Sequence, residues 1–315
     1  MLPADDRPST SPIRIDGVER WAEDATAAAG RARVVVRGLE TTAEMAEAAQ
    51  LVKRVWRSQD TSALEANLLR ALEHTGNFVA GAFEGSDSAG DGTPEGRAAP
   101  SGRRSLVGLS VGFLTATPEH GLHSHITCTA PGRGDAGLGT ALKLYQRAWA
   151  LAAGLTSVTW TVDPLVGRNN YFNFAKLGAR AVAYLPDFYG PMADGLNAGD
   201  ETDRLLMSWA LSDPLPGQGS TGLRSTMGPE TNGSFLLAVG LDEEPCRFDV
   251  TGDVVACQIP ADILALRERG PHKANRWRHE LRDALGGALS DGYVIQEFTR
   301  SGCYILTRGQ SRNLS

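Results

Sequence analysis

A glycine-rich segment at residues 131–140 carries the residue types best suited to chemistry in this chain. It lies between an apolar, strand-like run and a long amphipathic helical pattern. Glycines let the backbone approach phosphate oxygens closely, and the free N–H groups at a helix start carry partial positive charge. The segment therefore predicts a loop that binds the pyrophosphate of a nucleotide-like cofactor. The residues predicted to form this loop are Arg133, Gly134, Asp135, Ala136, Gly137, Leu138, Gly139 and Thr140.

Two common phosphate-binding motifs do not fit the segment. A kinase-type P-loop ends in Gly-Lys-Ser/Thr, whereas this turn continues as Gly139-Thr140-Ala141 and the first lysine is Lys143. A dinucleotide-binding fold places its glycines early in a βαβ unit, with an acidic residue about 20 residues later. Here several strand-like runs come first, and the nearest later acid, Asp163, lies beside a proline at a predicted strand end. Neither motif explains the loop.

The order of elements around the loop resembles a known family. A strand at 122–129, the loop, a helix at 138–153 and a strand at 157–163 are similar to the GNAT superfamily of acyl-CoA-dependent N-acyltransferases. In that superfamily a Gln/Arg-x-x-Gly-x-Gly/Ala turn binds the coenzyme A pyrophosphate. The matching turn here begins with Gly134 at the Gln or Arg position, with Arg133 one place earlier. The resemblance implies acetyl-CoA, or another acyl-CoA, as the acyl donor.

The resemblance covers roughly residues 34–211 and extends more loosely to residue 308. Several further segments look like a little-studied branch of the superfamily. These segments are residues 159–165, 173–179, 184–190 and 202–205.

The predicted strand before the loop supplies two histidines. Because side chains alternate along a strand, His123, His125 and Thr127 are expected on one polar face. Transfer to an amine, which the resemblance implies, requires a base for the ammonium proton, and imidazole suits this task near neutral pH. We predict His125 as that base, with His123 behind it, and backbone N–H groups near Ile126 to Cys128 as donors to the thioester oxygen. Alternatively, the histidines only satisfy neighbouring backbone or threonine groups.

A predicted short helix before Gly178 carries the remaining candidates. The superfamily often places a tyrosine acid four residues before the helix-ending glycine, but this count reaches Phe174 here. Tyr171 is the predicted acid for the departing thiolate, with core packing as the alternative role for this residue. Tyr189 and water are the other proton sources that the sequence leaves open. The resemblance suggests that Asn170 and Asn173 contact the cofactor, and helix capping is the plain alternative.

Other charged or reactive residues near these candidates are expected to have structural roles. Asp163 is predicted to pair with Arg168, with a role as a second base as the alternative. The basic stretch at residues 276–282 is expected to be a solvated helix face. Cys128 is not expected to be a nucleophile, because it alternates to the apolar side of its strand and nothing predicts a lowered thiol pKa.

Composition restricts the partners and the location. The chain has 315 residues, a formal charge of -6 and 31 scattered basic residues, so nucleic acid is not an expected partner. Its four cysteines form no C-x-x-C pair, so neither a metal site nor a disulfide framework is predicted. Without a leader pattern or about 18 consecutive apolar residues, a cytoplasmic protein that does not bind membranes is expected. The predicted partner is a small-molecule amine, and a homodimer is left open.

The pattern of elements predicts an α+β fold, α/β-like in places, with a mixed central sheet flanked by helices and a smaller C-terminal α+β domain. Residues 85–105 are rich in glycine, serine and charged residues and show no hydrophobic periodicity. They are therefore predicted to be a disordered insertion. The predicted divisions are a mobile arm at 1–32 with one helical turn around residues 18–29, the acyltransferase domain at 33–211, a linker at 212–230 and the C-terminal domain at 231–308.

Local signals define the individual elements. Thr41 and Glu44 form a capping box that opens a predicted helix to Trp56. The other predicted helices cover 62–73, 138–153 and 261–289, the last interrupted near residue 270. The predicted strands cover 33–37, 78–83, 106–115, 122–129, 157–163, 205–209, 234–240, 246–250, 254–259, 293–298 and 303–307.

Two classes of function follow from these predictions. The first is an acyl-CoA-dependent N-acyltransferase that moves an acetyl group to a primary amine of a small molecule by direct attack on the thioester. The second is an acyl-CoA-binding module whose chemistry has decayed and which acts through its tail as a regulatory or interaction protein. The glycine at position 134 and the phenylalanine at position 174 keep this second function open.

Overall fold

The structure is a computed structural model that describes residues 18–57, 64–85, 104–116, 121–133, 136–192, 200–217 and 234–309. Contacts divide these residues between two compact units. One lies within residues 1–55 and 64–158, and the other lies within residues 56–63 and 159–315.

The first unit packs helices on an antiparallel sheet. Its elements are α1 (Val18–Arg31), β1 (Val34–Gly38), α2 (Thr42–Trp56), α3 (Ala66–His74), β2 (Phe78–Glu84), β3 (Ser105–Leu114), β4 (Leu122–Thr129) and α4 (Leu138–Ala152). The strands pair in the order β1–β2–β3–β4, and each of these pairs is antiparallel. A Cβ placed on Gly108 of β3 would lie 3.0 Å from Leu142 Cδ1, so α4 packs closely on this face of the sheet.

The predicted capping box begins α2 as expected. The Glu44 N–H donates to Thr41 Oγ1 at 3.2 Å, and the Thr41 N–H donates to Glu44 Oε2 at 3.2 Å. The Arg37 guanidinium also binds this carboxylate, and this hydrogen bond is the main reason that the pKa of Glu44 falls to about 2. The interaction joins the end of β1 to the first turn of α2.

Helix α1 occupies the described part of the segment predicted as a mobile arm over residues 1–32, and it extends the single helical turn predicted around residues 18–29. The described part of that segment is helical and packs on α4, where the Arg147 guanidinium lies 3.7 Å from the centroid of the Trp21 ring. Small side chains three and four residues apart form its narrow buried face, a pattern that is hard to distinguish in an alanine-rich background. The buried alanines are Ala25, Ala28 and Ala32. Residues 1–17 lie outside the described part of the chain.

The second unit continues from β5 to the last described residues. Its elements are β5 (Ser157–Val162), α5 (Gly167–Tyr171) with a π-helical continuation (Phe172–Leu177), β6 (Arg180–Leu185), β7 (Arg204–Ala210), β8 (Phe235–Val239), β9 (Pro245–Arg247), β10 (Val254–Gln258), α6 (Ile263–Arg269), α7 (Pro271–Leu281) with a π-helical continuation (Arg282–Gly286), α8 (Gly287–Ser290), β11 (Tyr293–Phe298) and β12 (Cys303–Arg308). Strands β5, β7 and β6 are neighbours in that order.

A separate five-stranded sheet follows in the second unit. Its order is β11–β12–β10–β8–β9, with β8 and β10 parallel and the other neighbours antiparallel. The described elements confirm the α+β class and the extra C-terminal sheet. Strand β6 and the two π-helical turns were not predicted.

Some predicted boundaries fall on residues that the structure does not describe. Residues 86–103 of the insertion and 218–233 around the linker lie outside the described residues, so the disorder and the domain division stay predictions. Among the helices of the described ranges, none is both long and apolar enough to cross a bilayer.

Candidate functional site

The predicted phosphate loop ends at an open helix start. Gly137 is the N-cap residue of α4 and has left-handed backbone angles of φ 77° and ψ 4°, which glycine adopts without strain. No side chain of the described residues caps this helix, so its first N–H groups are available to an external acceptor. Gly132 also has a positive φ of 78°, and a Cβ there would meet no described atom within 4 Å. Gly134 and Asp135 lie outside the described residues.

Arg133 is held by an acidic partner. Its guanidinium binds the Glu84 carboxylate at the end of β2. Its Nε atom is buried and has no hydrogen-bond partner among the described residues. The predicted contact between Arg133 and phosphate would therefore have to compete with this ion pair, whereas the backbone N–H groups of α4 have no such competitor.

Strand β4 contains a bulge at the predicted base. Val111 of β3 lies opposite Ile126 and the next residue, Gly112, lies opposite Ser124, so His125 is an extra residue without a register partner on β3. A bulge breaks the two-residue alternation of a strand. The Thr127 hydroxyl consequently lies 3.5 Å from the Ser124 hydroxyl. The prediction that Thr127 shares a face with the two histidines is therefore wrong.

The two histidines themselves come together as predicted. The ring of Phe113 on β3 lies 5.3 Å from the His123 ring and 5.6 Å from the His125 ring, measured between centroids. His123 is half-buried, His125 is exposed, and Phe113 is 38% exposed. Sequence reasoning did not single out Phe113, although its place opposite His123 on β3 would have been the signal.

Incomplete solvation lowers the pKa of both imidazoles. For His125, desolvation is the cause that lowers the pKa. For His123, desolvation is the largest cause, and the positive charges of His125 and Lys143 lower the pKa further. Both rings are therefore neutral at neutral pH, which is the form that can accept a proton.

Tyr171 and Asn173 belong to the second unit. Tyr171 is half-buried, and the Arg300 guanidinium lies 5.8 Å from its ring centroid. The core-packing alternative assumed α-helical spacing, but residues 172–177 are π-helical, and Phe174 takes the core position with its ring 6.4 Å from that of Phe298. The acid role of Tyr171 and the cofactor contact of Asn173 stay predictions.

Asn170 has a structural role among the described residues, and its predicted contact with the cofactor stays a prediction. Its side chain is fully buried, and its amide donates to the carbonyl oxygens of Asp163 at 3.0 Å, Pro164 at 3.2 Å and Val166 at 3.0 Å. The amide thus fixes the turn between β5 and α5. It does not cap the helix, because Val166 is the N-cap residue of α5.

Asp163 is bound by arginines from the C-terminal helices, where the sequence predicts Arg168. Arg267 Nη2 lies 2.8 Å from its Oδ2 atom, and Arg278 Nη1 lies 2.8 Å from its Oδ1 atom. Both arginines also contact Asp200 Oδ2. Desolvation opposes ionisation of Asp163, but Arg278 first and then Arg267 outweigh it, so its pKa lies well below the usual range. This carboxylate is not suited to act as a base.

The basic stretch at residues 276–282 is not the solvated face that the sequence predicts. Arg278 is fully buried between two carboxylates, and Arg282 Nε donates to Asp203 Oδ2 at 2.9 Å. Arg276 is exposed but paired, with its Nη2 atom 2.7 Å from Glu244 Oε1. The stretch attaches α7 to neighbouring elements of the second unit.

The cysteines are free thiols in the structure. Cys128 is buried on β4, and desolvation raises the pKa of its thiol to about 12. A thiol with so high a pKa is a poor nucleophile near neutral pH, which agrees with the prediction for this residue.

Comparison with known proteins gives structural likenesses only. No family model and no curated protein matches this sequence. Among the matching solved structures are an acetyltransferase of the GNAT family from Streptococcus pneumoniae (16% identity, 58% of this chain and 99% of that chain, TM-score 0.41), the aminoglycoside 6'-N-acetyltransferase from Enterococcus faecium (13% identity, 57% and 98%, TM-score 0.40) and the ribosomal-protein-S18-alanine N-acetyltransferase from Escherichia coli (13% identity, 59% and 98%, TM-score 0.40).

Proposed function

We propose that this chain is an acyl-CoA-dependent N-acyltransferase of the GNAT type, which transfers acetyl from acetyl-CoA to a primary amine of a small molecule. The observation that supports the proposal most is the bulge at His125 in β4, the strand that precedes the open helix start at Gly137. One short stretch of chain thus offers both a neutral imidazole and a set of N–H groups suited to a diphosphate.

The proposed reaction assigns a role to each end of this stretch. The N–H groups in the first turn of α4, at residues 138–140, bind the pyrophosphate of the acyl donor, whereas the Ala136 N–H donates to the Arg133 carbonyl oxygen at 3.3 Å. At the bulge, the N–H group of His125 donates to the thioester oxygen as negative charge develops there, one residue before the range Ile126 to Cys128 that the sequence predicts. Because the bulged residue is left out of the ladder with β3, the backbone at this point is not committed to that neighbour.

The chemical step is a direct displacement at the thioester. The amine nitrogen attacks the carbonyl carbon, a C–N bond forms, and the C–S bond breaks with its electron pair going to sulfur. His125 accepts the proton that the amine loses. Water returns a proton to the departing thiolate. A small-molecule acceptor, a cytoplasmic location and a homodimer remain predictions that accompany this proposal.

Binding and turnover are the tests of the proposed function. Acetyl-CoA is titrated into the purified full-length chain by calorimetry, and release of free thiol is then followed with a panel of small primary amines. The expected result is saturable binding together with thiol release that depends on the amine. A parallel panel of peptides with free N-termini distinguishes small-molecule acceptors from protein acceptors. Absence of acetyl-CoA binding would overturn the proposal.

The second candidate function is a decayed acyl-CoA-binding module. Two observations favour it: Arg133 is committed to Glu84, and the buried Phe174 stands where the superfamily often has its tyrosine acid. Binding of acetyl-CoA and of longer acyl-CoA compounds without turnover on any acceptor would support this second function and exclude the first.

A further inference from the structure

Lys143 is a buried lysine that the proposed reaction does not use. It lies on α4, which begins at the phosphate loop, and only 4% of its surface is exposed. A buried amine is costly unless hydrogen bonds replace its lost water. Burial lowers the pKa of Lys143 to about 7, so part of the population is neutral at neutral pH and the cost is smaller.

The amine belongs to a closed ring of hydrogen bonds between side chains. Lys143 Nζ donates to Ser124 Oγ at 2.9 Å and to Gln146 Oε1 at 3.1 Å. Gln146 Nε2 donates to Ser110 Oγ at 3.3 Å. The hydroxyls of Ser110 and Thr127 are 2.9 Å apart, and those of Thr127 and Ser124 are 3.5 Å apart. We call this set of five side chains, contributed by β3, β4 and α4, the polar ring.

The polar ring lies on both sides of the bulge. Ser124 directly precedes His125, and Thr127 directly follows Ile126, so the ring joins the two flanks of the segment that loops out of register. Lys143 and Gln146 connect these flanks to the buried side of α4. The helix that carries the phosphate loop is thereby linked through side chains to the backbone around the predicted base.

We propose that Lys143 is a positioning residue that holds the β4 bulge in register with α4 and so fixes the N–H groups and imidazole of His125 relative to the phosphate loop. This inference rests on the proposed function for its catalytic consequence, but the conformational effect can be measured without turnover. A well-connected buried network of this kind restricts a local backbone to one arrangement. Misplacement of reacting groups by about 1 Å costs roughly 100-fold in rate.

The test replaces Lys143 by methionine, which keeps most of the volume and removes the donors. In Lys143→Met, we expect amide hydrogen exchange at His125 and Ile126 to rise by about 10-fold, because local opening is no longer opposed by the ring. We expect kcat to fall by about 10-fold to 100-fold while the KM for acetyl-CoA changes by less than about 3-fold. Lys53→Met on α2 is the matched control and should change neither quantity.

A second variant covers the case in which Lys143→Met does not fold. Thr127→Val removes the ring hydroxyl on the other flank of the bulge, keeps the shape of the side chain and leaves Lys143 in place. It should accelerate exchange at the same two amides and lower kcat in the same direction. Unchanged exchange at His125 and Ile126 in the folded variants would overturn the inference, whatever happens to kcat. Lack of turnover by the wild-type chain would instead count against the proposed function, and exchange would still decide the role of the ring.

Discussion

The lowered pKa of His125 determines the pH range in which it can act as a base. The imidazole must be neutral to accept a proton, and desolvation shifts its pKa below the ordinary value of 6.5. We therefore expect the acidic limb of kcat/KM against pH to have its midpoint below 6.5. In His125→Ala this limb should disappear and the rate at neutral pH should fall by about 100-fold or more. Thiol release measured between acid and neutral pH tests both expectations.

His74→Ala is a suitable control for this measurement. His74 is an exposed histidine in the last turn of α3 and has no role in the proposed reaction. Its replacement should leave both the acidic limb and the rate unchanged. Full activity of His125→Ala would exclude this residue as the base, without affecting the proposal for the phosphate loop.

Gly137 and Gly154 allow the phosphate loop to be tested with a matched pair. Both residues have left-handed φ angles, 77° and 75°, but they flank opposite ends of α4. Both positions have space for a methyl group. A Cβ placed on Gly137 would lie 3.9 Å from the nearest described atom, and a Cβ placed on Gly154 would have none within 4 Å. Gly→Ala at either position should therefore cost a similar free energy of unfolding, about 1–2 kcal/mol, from backbone strain alone.

Only the alanine variant at position 137 should weaken binding of acetyl-CoA. Its methyl group would stand where the backbone approaches the pyrophosphate, and its preferred φ would turn the first N–H groups of α4 away. We expect the Kd for acetyl-CoA, measured by calorimetry, to rise by at least about 10-fold, equivalent to about 1.4 kcal/mol. Equal effects of the two variants on binding would show that this helix start does not contact the ligand.

For individual side chains, the sequence predicted contacts between residues that are close in sequence better than contacts between residues that are far apart. The pairing of His123 with His125 follows from strand alternation, because these residues are close in sequence. Thr127 was misplaced because a bulge changes which face a side chain takes, and β4 itself has no glycine there; the glycine at the register shift is Gly112 on the neighbouring strand β3. The partners of Asp163 lie 104 and 115 residues away, and a distant arginine gives no local signal.

Elements with clear local signals were predicted well. The capping box located the start of α2, and the glycine-rich turn with an apolar stripe located α4. Only a single turn of helix α1 was predicted, because its buried face consists of alanines. The π-helical continuation of α5 was missed because the spacing of Tyr171 and Phe174 fits an α-helix equally well, and packing against β11 and β12 decides between the two.

The ion pairs of Asp163 should contribute strongly to the stability of the elements that they join. In Asp163→Asn, two buried guanidinium groups lose a carboxylate, and removing one partner of a buried pair typically costs about 3–5 kcal/mol. Urea denaturation followed by tryptophan fluorescence measures this change. Glu73→Gln, which breaks the exposed pair with Arg70, is the control and should cost no more than about 1 kcal/mol. A loss for Asp163→Asn as small as that of the control would contradict the expectation.

For the whole molecule, charge pairing connects regions that are far apart in sequence. Residues from both sides of the predicted linker belong to the second compact unit. Asp163 and Asp203 come from one side, and Arg278 and Arg282 come from the other. The composition of the linker can be recognised in the sequence. The sequence does not indicate that arginines after the linker pair with carboxylates before it. The C-terminal helices are thus part of the charge balance that keeps the carboxylates of this unit ionised.

This charge balance predicts how the stability of the chain depends on pH. The pKa values of Asp163 and Asp203 in the second unit and of Glu44 in the first are all lowered by arginine partners. In the unfolded chain these groups take up protons near their ordinary pKa of about 4, while the folded chain holds them ionised to lower pH. Their stabilisation is therefore complete above about pH 5 and is lost as the pH falls toward the folded-state values.

Protonation of His123 and His125 also lowers the stability of the folded chain, at a higher pH than protonation of the carboxylates. Because their folded pKa values are lowered, the unfolded chain binds more protons just below about pH 6.5, and acidification through that range is destabilising. Below about pH 6.5, where Lys143 is largely protonated in the folded and the unfolded chain, we expect the urea midpoint to fall in two stages, a small one near pH 6 and a larger one below about pH 5. Asp163→Asn should show a smaller second stage, because one of the responsible carboxylates is gone. A midpoint that stays constant or rises on acidification would show that these carboxylates are not ionised by their arginines in the folded chain.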